Sequence, residues 1–258
     1  MKDLKIRASS LGRLMATNKN TTITPKQLET LNGLLNKIKL TEKQAELRDT
    51  LLLKRDAEPE LSEGAKTYVK ELYQYHEYGI RQEIKSKYLD KGNEVENLSI
   101  ELASIYMDDF LVKNDEYFEN DYVCGTPDVV TSEYVLDVKS SWSAATFPMF
   151  ETELKNKIYE WQLKAYMWLT GLTESYLCYC LVETPEPLIL DEMRRVSWNR
   201  GEGAEISEET EIDVRNYFDI SRVPTERRIK VFNVKLTDKD IADMKKMIIL
   251  ARKYYKTI

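Results

Sequence analysis

The sequence predicts a mixed α/β or α+β core with a helical N-terminal appendage, and three observations carry that prediction. Residues 24–90 place apolar side chains at helical spacing among many Lys and Glu. From Gly92 onward an amphipathic helix gives way to short β-rich runs punctuated by turn residues, then to alternating helix and strand. A last strand and a capped helix close the chain. Helices followed by interleaved strands and helices must bury their apolar faces in layers, which is the α/β or α+β arrangement.

Each element has its own reason. Ser9 and Ser10 are placed to cap a helix starting near Leu11, with Leu11, Leu14 and Met15 on one face. Thr24-Pro25 starts the next, Pro being suited to the first helical position. Leu28, Leu31, Leu34, Leu35 and Ile38 then repeat at helical spacing. Thr41 opens a second helix of this block and Ser62 a third, the latter with Tyr68, Val69, Leu72 and Tyr75. Val95, Leu98, Leu102, Ile105 and Tyr106 mark an amphipathic helix. The segment FLVKNDEYFENDYVCGTPDVVTSEYVLDVKSSWS reads as strands, with YVCGTPDVV and YVLDVKS joined by a hairpin turn at TSE. Residues 153–170 are helical, SYLCYCLVET is a strand, and RRVSWNR is a further candidate strand. GEGAEISEETEID is an acidic loop or loop-helix, and RIKVFNVKL is the last strand. Thr237 with Asp240 resembles a capping box for the closing helix, which carries Ile241, Met244, Met247 and Ile248. The division drawn is 1–91, an N-terminal segment and helical block packed on the core, and 92–258, the core with its C-terminal strand and helix.

Composition removes several classes of function. A chain of 258 residues with net charge −6 is neither disordered nor collagen-like, and three cysteines make no disulfide framework. One histidine, His76, lies in a helical stretch, so a His-rich metal site is excluded. A phosphate-binding G-x-x-x-x-G-K-[ST] loop is absent, and GEGAEI lies in an acidic loop rather than after a strand. The N-terminus has no continuous apolar run and no later stretch suits a membrane span, so the expected location is cytoplasmic.

Chemistry concentrates in GTPDVVTSEYVLDVKSS. Asp137 and Lys139 stand two apart on a predicted strand, so they share one face, among apolar Val135, Leu136 and Val138. A buried acid and ammonium are costly unless paired or functional. Asp128 follows Pro127 just before the preceding strand, and the hairpin would bring Asp128 and Asp137 to neighbouring strand ends. Glu96, on the upstream helix, is a third candidate carboxylate, with Glu94 its rival. Such oxygen ligands suit Mg²⁺ or Mn²⁺, which lower the pKa of bound water and stabilise phosphoryl charge. A neighbouring lysine orients the attacking water, helps to deprotonate it, or stabilises the developing charge. The alternative is a plain Asp–Lys ion pair on a solvated sheet face, since D-x-K alone is common in so charged a chain.

Pro127-Asp128 followed by Asp137-Val138-Lys139 resembles the signature of the PD-(D/E)xK nucleases, and further segments resemble its phage lambda exonuclease or YqaJ-like viral recombinase branch. Gly92-Asn93-Glu94-Val95-Glu96-Asn97 is similar to that branch's G-x-x-x-E-N helix. Gln162-Leu163-Lys164-Ala165-Tyr166 matches its Q-x-x-x-Y helix, and Met167-Trp168-Leu169-Thr170-Gly171 continues as there. Ile6-Arg7-Ala8-Ser9-Ser10 resembles the opening segment. The resemblance covers roughly 92–182, extends to the last strand and helix, and leaves 18–90 unmatched.

The resemblance implies a restriction-endonuclease-like core, a central mixed sheet flanked by helices. It implies that Asp128, Asp137 and the Val138 carbonyl bind Mg²⁺, with Mn²⁺ as a substitute, and that Glu96 binds it directly or through water. Lys139 positions and activates the water, and Gln162 supports the site. Arg7, Ser9, Thr126 and Tyr166 are the implied DNA contacts. The family places a phosphate-binding arginine just after the strand, but SSWSAATFPMFETEL has none; Lys155 and Lys157 are the nearest substitutes. Arg194, Arg195 and Arg200, or Arg222, Arg227 and Arg228, are candidate basic patches. The implied activity is a metal-dependent exonuclease on linear duplex DNA ends, making single-stranded tails for phage-type recombination in a bacterial host. A single-strand annealing protein is the implied partner and a ring-shaped homotrimer the implied assembly. The alternatives are a structure- or sequence-specific endonuclease on the same core, and a non-catalytic DNA-binding module.

Overall fold

The computed structural model describes residues 4–16, 23–57, 60–81 and 86–258. A two-residue strand, β1 (Ile6–Arg7), runs into α1 (Ala8–Leu14). This helix begins earlier than Ser9 and Ser10 suggest: Arg7 holds the N-cap position in extended conformation, without a side-chain cap. Pairing of β1 with a distant strand fixes the chain there and overrides the local capping preference. Leu11, Leu14 and Met15 are nonetheless buried together.

Three helices follow: α2 (Pro25–Leu35), α3 (Glu42–Asp56) and α4 (Glu63–Tyr78). Thr24, Thr41 and Ser62 each accept a backbone N–H from three residues ahead, the role their side chains predict. Leu31, Leu34 and Leu51 pack α2 against α3 as a small separate cluster. In contrast, α4 sends Ala65, Tyr68 and Val69 into the main core. Two short helices, α5 (Lys87–Glu94) and α6 (Glu96–Met107), share Val95 as the cap between them. The buried face of α6 is Ser99, Ile100 and Ala103, whereas Leu98, Ile105 and Tyr106 of the expected face are exposed.

The β-rich segment divides between two sheets. β2 (Phe118–Glu119), β3 (Val123–Gly125) and β1 form one, in order β1-β3-β2. β4 (Val129–Val130) belongs to the other and pairs antiparallel with β5 (Tyr134–Ser140) across the turn at 131–133. YVCGTPDVV is therefore two strands, parted at Thr126–Pro127–Asp128, because Pro127 cannot donate to a ladder. Helix α7 (Lys157–Thr170) crosses from β5 to β6 (Glu174–Cys180), which lies parallel to β5. RRVSWNR falls inside a helix, α8 (Glu186–Arg200), rather than a strand. Its buried Glu192, Met193 and Ser197 follow helical spacing, and Gly201, with φ of 79°, ends it. The acidic segment becomes α9 (Glu208–Phe218), whose Thr210, Val214 and Phe218 do form a buried face. The edge strand β7 (Ile229–Lys235) pairs antiparallel with β6, and α10 (Asp238–Tyr255) starts at the Thr237–Asp240 capping box.

Strand alternation gives the central sheet, β4-β5-β6-β7, two apolar faces. Val135, Leu177, Phe232 and Val234 face Leu163, Met167, Met244 and Ile248 of α7 and α10. Leu136, Val138, Cys178 and Cys180 face Ile100 and Ala103 of α6. All three cysteines are free and buried. Helices α1 and α7 approach so closely that a Cβ on Gly12 would lie 2.4 Å from the Ile158 Cα. No described helix is long and apolar enough to cross a membrane.

Candidate active site

Asp137 and Lys139 occupy alternate positions of β5 and point toward α7, on the face that also buries Val135. Asp137 is wholly buried. Its Oδ1 accepts from Gln162 Nε2 at 2.9 Å, and its Oδ2, which has no hydrogen bond, lies 2.5 Å from Lys139 Nζ. Gln162 also donates to the Tyr166 hydroxyl at 3.2 Å, one helical turn along α7. Tyr166 is 4% exposed and packs on Gly125, where a Cβ would come within 3.0 Å of its ring. It therefore props Gln162 from the inside instead of presenting its ring to solvent.

Asp128 reaches across the hairpin, its Oδ2 accepting the Val138 N–H at 2.8 Å. The Pro127-Asp128 backbone is held in turn by Asn114, whose N–H donates to the Asp128 carbonyl and whose Nδ2 donates to that of Pro127. Glu96 opens α6 and pairs with Lys113 at 3.2 Å. Its charge is felt by both Asp128 and Asp137, while Glu94 is exposed. Of the two rival glutamates, Glu96 is the one directed to the aspartates.

The electrostatics follow from burial. Burial, then the charge of Asp137, pushes Asp128 up to about 8. Burial likewise raises Asp137, against the pull of Lys139. Burial disfavours the Lys139 charge, but Asp137 and Asp128 outweigh it and raise its pKa. Lys139 is an ammonium at neutral pH, a donor rather than a base. Among the described residues no three His, Cys, Asp or Glu side chains converge closely enough to enclose a metal ion. Lys139 and Lys113 instead take up oxygens of Asp137 and Glu96. The donor set is all oxygen, and Asp137 Oδ2 has the Lys139 ammonium as its one close cation, so the chemistry of the set fits a hard divalent ion.

The remaining candidates lie around this centre. Arg7 pairs with Cys124 in the β1–β3 ladder, and Arg7, Ser9 and Thr126 are all exposed beside the segment leading to Asp128. Arg194, Arg195 and Arg200 are neutralised by Asp191, Glu192 and Asp213, so that cluster forms no free basic patch. Arg228 donates to the Val223 carbonyl, whereas Arg222 and Arg227 are exposed. Lys155 and Lys157 pair with Glu151 and Glu160. His76 sits exposed in the last turn of α4.

Four residues that matter here were not singled out by the sequence. Lys113 and Asn114 lie in a polar stretch without periodicity, and their partners are distant in the chain. Tyr159, whose ring lies 5.1 Å from Lys139 Nζ, stands three before Gln162 on α7. Lys91 is 1% exposed and donates to the carbonyls of Ser141, Trp142 and Val182 and to Thr184 Oγ1. Its signal was its place four residues before Val95, on the inward helical face.

No protein-family model matches the chain, and no curated protein matches it. Solved structures do. A phage-related exonuclease from Haemophilus somnus 129PT superposes with a TM-score of 0.70 at 24% identity, over 99% of this chain and 95% of that one. An alkaline exonuclease, LHK-Exo, from Laribacter hongkongensis superposes with a TM-score of 0.55 at 12% identity, over 99% and 90%. The same enzyme in complex with dAMP gives 0.54 at 13% identity, over 98% and 88%. The whole chain thus has the fold of these proteins, helical block included.

Proposed function

We propose that this chain, which shares the fold of phage-related exonucleases, is a divalent-metal-dependent deoxyribonuclease that degrades linear duplex DNA from its ends. One observation carries the reading: Asp137 is wholly buried against Lys139, Asp128 reaches the same strand, and Glu96 is near enough for its charge to act on both, an arrangement that is costly unless it is functional. Asp128 and Asp137, the Val138 carbonyl, and Glu96 directly or through water would hold Mg²⁺, or Mn²⁺ in its place. The ion, when bound, supplies an activated water and stabilises charge on the phosphoryl oxygens. Gln162 fixes Asp137, and Tyr166 fixes Gln162. Lys139, kept protonated by its acidic neighbours, donates to the water or to the charge developing on phosphate.

The exonuclease direction of the reading draws on the similar structures, one of them holding a deoxynucleoside monophosphate. Arg7, Ser9 and Thr126, exposed about the β1–β3 pair that leads to Asp128, would meet a 5′-phosphate. A single-stranded tail made this way suits phage-type recombination with an annealing protein, and a ring of three copies around the duplex.

The test incubates the full chain with a linear duplex bearing 5′-phosphate, the same duplex bearing 5′-hydroxyl, and a closed circle, each with Mg²⁺ or EDTA. Mg²⁺-dependent loss of the linear forms alone, abolished by Lys139→Ala, is the expected result. Nicking of the circle would favour the endonuclease alternative. Folded protein that cleaves nothing, with Mn²⁺ included, would leave only a DNA-binding module.

A further inference from the structure

We infer that the catalytic face of the sheet continues past Lys139 into a strand-binding strip, Tyr159–Tyr179–Lys230, that holds the nucleotides adjoining the cleaved bond. The inference rests on the nuclease reading and adds the residues that grip the substrate strand.

Register places the strip. Lys139 pairs with Tyr179 on β6, and Tyr179 pairs with Lys230 on β7. Residues directly opposite one another project to the same side of a sheet, so all three share the face that carries Asp137. Tyr159 of α7 leans over the same row: its ring lies 5.1 Å from Lys139 Nζ and 6.3 Å from the Tyr179 ring. The row ends at Lys230, whose Nζ is 5.9 Å from the Phe232 ring, and Phe232 in turn meets Tyr179 edge-on at 6.0 Å. The order along the face is cation, aromatic, aromatic, cation.

Aromatic packing alone would produce a Tyr–Tyr–Phe contact of this kind, and both tyrosines do border the core. Two features exceed that explanation. Tyr159, Tyr179 and Lys230 are each only half-buried, so the row is open along one side. Lys230 has no carboxylate partner among the described residues, although its strand neighbour Lys235 is paired with Glu174 at 2.7 Å. An unpaired ammonium at the far end of a half-open aromatic row suits a phosphate. Grooves that hold single strands combine such cations with rings on which bases stack. The reach agrees: two strand spacings of about 4.8 Å put Lys230 roughly 10 Å from Lys139. That is two to three nucleotides at about 3.4 Å each along a strand.

The experiment measures binding of fluorescein-labelled single-stranded DNA, two to eight nucleotides long, by anisotropy in EDTA over a range of salt, and cleavage kinetics on linear duplex in Mg²⁺. Lys230→Gln, a half-exposed change that leaves the core intact, is expected to lower the slope of log affinity against log salt by about 0.7. Tyr179→Leu is expected to weaken binding roughly five- to a hundredfold and to raise KM alike, while Tyr179→Phe, which keeps the ring, restores both. Lys230→Arg is expected to restore the slope. Wild-type protein that binds and cuts DNA, with Lys230→Gln unchanged in slope and KM, would overturn the strip and leave the nuclease intact. Wild-type protein that neither binds nor cuts would overturn the reading beneath it.

Discussion

Replacing Lys91 by methionine tests how the end of the catalytic strand is held. The Lys91 ammonium is the pin between α5 and the segments that leave β5 and β6: it donates to Ser141 and Trp142 carbonyls at 2.7 and 3.1 Å, to Val182 at 3.1 Å and to Thr184 Oγ1 at 2.8 Å. Among the described residues no carboxylate pairs with it, and burial draws its pKa from 10.5 down to about 8. Keeping the charge at pH 7 therefore costs about 3 kcal/mol, at ~1.36 kcal/mol per unit. Methionine removes that cost but strands the acceptors, at about 1–3 kcal/mol for each left unpaired. With three carbonyls and a hydroxyl involved, the losses of about 4–12 kcal/mol exceed the gain, and the variant is expected to be less stable by roughly 1–9 kcal/mol at pH 7. The sign of the pH dependence is equally definite. A depressed lysine contributes stability that is complete above pH 10.5 and lost as pH falls through 8. Wild type should thus gain about 1.4 kcal/mol per pH unit between 8 and 10.5 from this group, and the methionine variant should not. Urea unfolding of both proteins at pH 7, 8, 9 and 10 reads the gap. A variant as stable as wild type at pH 7, or a gap that stays flat with pH, would refute the reasoning.

Three further outcomes follow from the same geometry. Asp128, raised to about 8 by burial and then by Asp137, withholds stability as pH climbs from 3.8 toward 8; in EDTA, Asp128→Asn should become more stable relative to wild type by on the order of 1 kcal/mol per pH unit, and a pH-independent gap in urea unfolding would count against it. Lys113 shares Glu96 with any cation that binds there, so Lys113→Met should tighten Mn²⁺ binding in calorimetry by up to about fivefold, the range of a half-exposed ion pair; weaker binding would show that no competition exists. Gly12→Ala drives a methyl into the Ile158 backbone and should cost about 1–3 kcal/mol, read as a fall in Tm, with an unchanged Tm excluding so close an α1–α7 approach.

Much of this protein was legible from local pattern. Period-two alternation was enough to set Asp137 and Lys139 on one face of a strand, and the structure brings them to 2.5 Å. Thr24-Pro25 announced its helix through a proline suited to the first helical position, and Thr237 announced the last one because a capping box is a contact between residues three apart. Where partners are distant in the chain, local pattern failed. RRVSWNR resembles a strand until Val196, with Met193 just before it, packs against Val214 and Phe218 of α9, and YVCGTPDVV resembles one strand until its halves join different sheets. Leu98, Ile105 and Tyr106 turn outward because α6 meets the sheet through the face that carries Ile100 and Ala103. The capture of Lys91 by three carbonyls and the alignment of Lys139 with Lys230 across three strands were decided by tertiary structure alone. Local sequence sets which way a side chain leaves its own helix or strand; what it meets there depends on how elements far apart in the chain are packed.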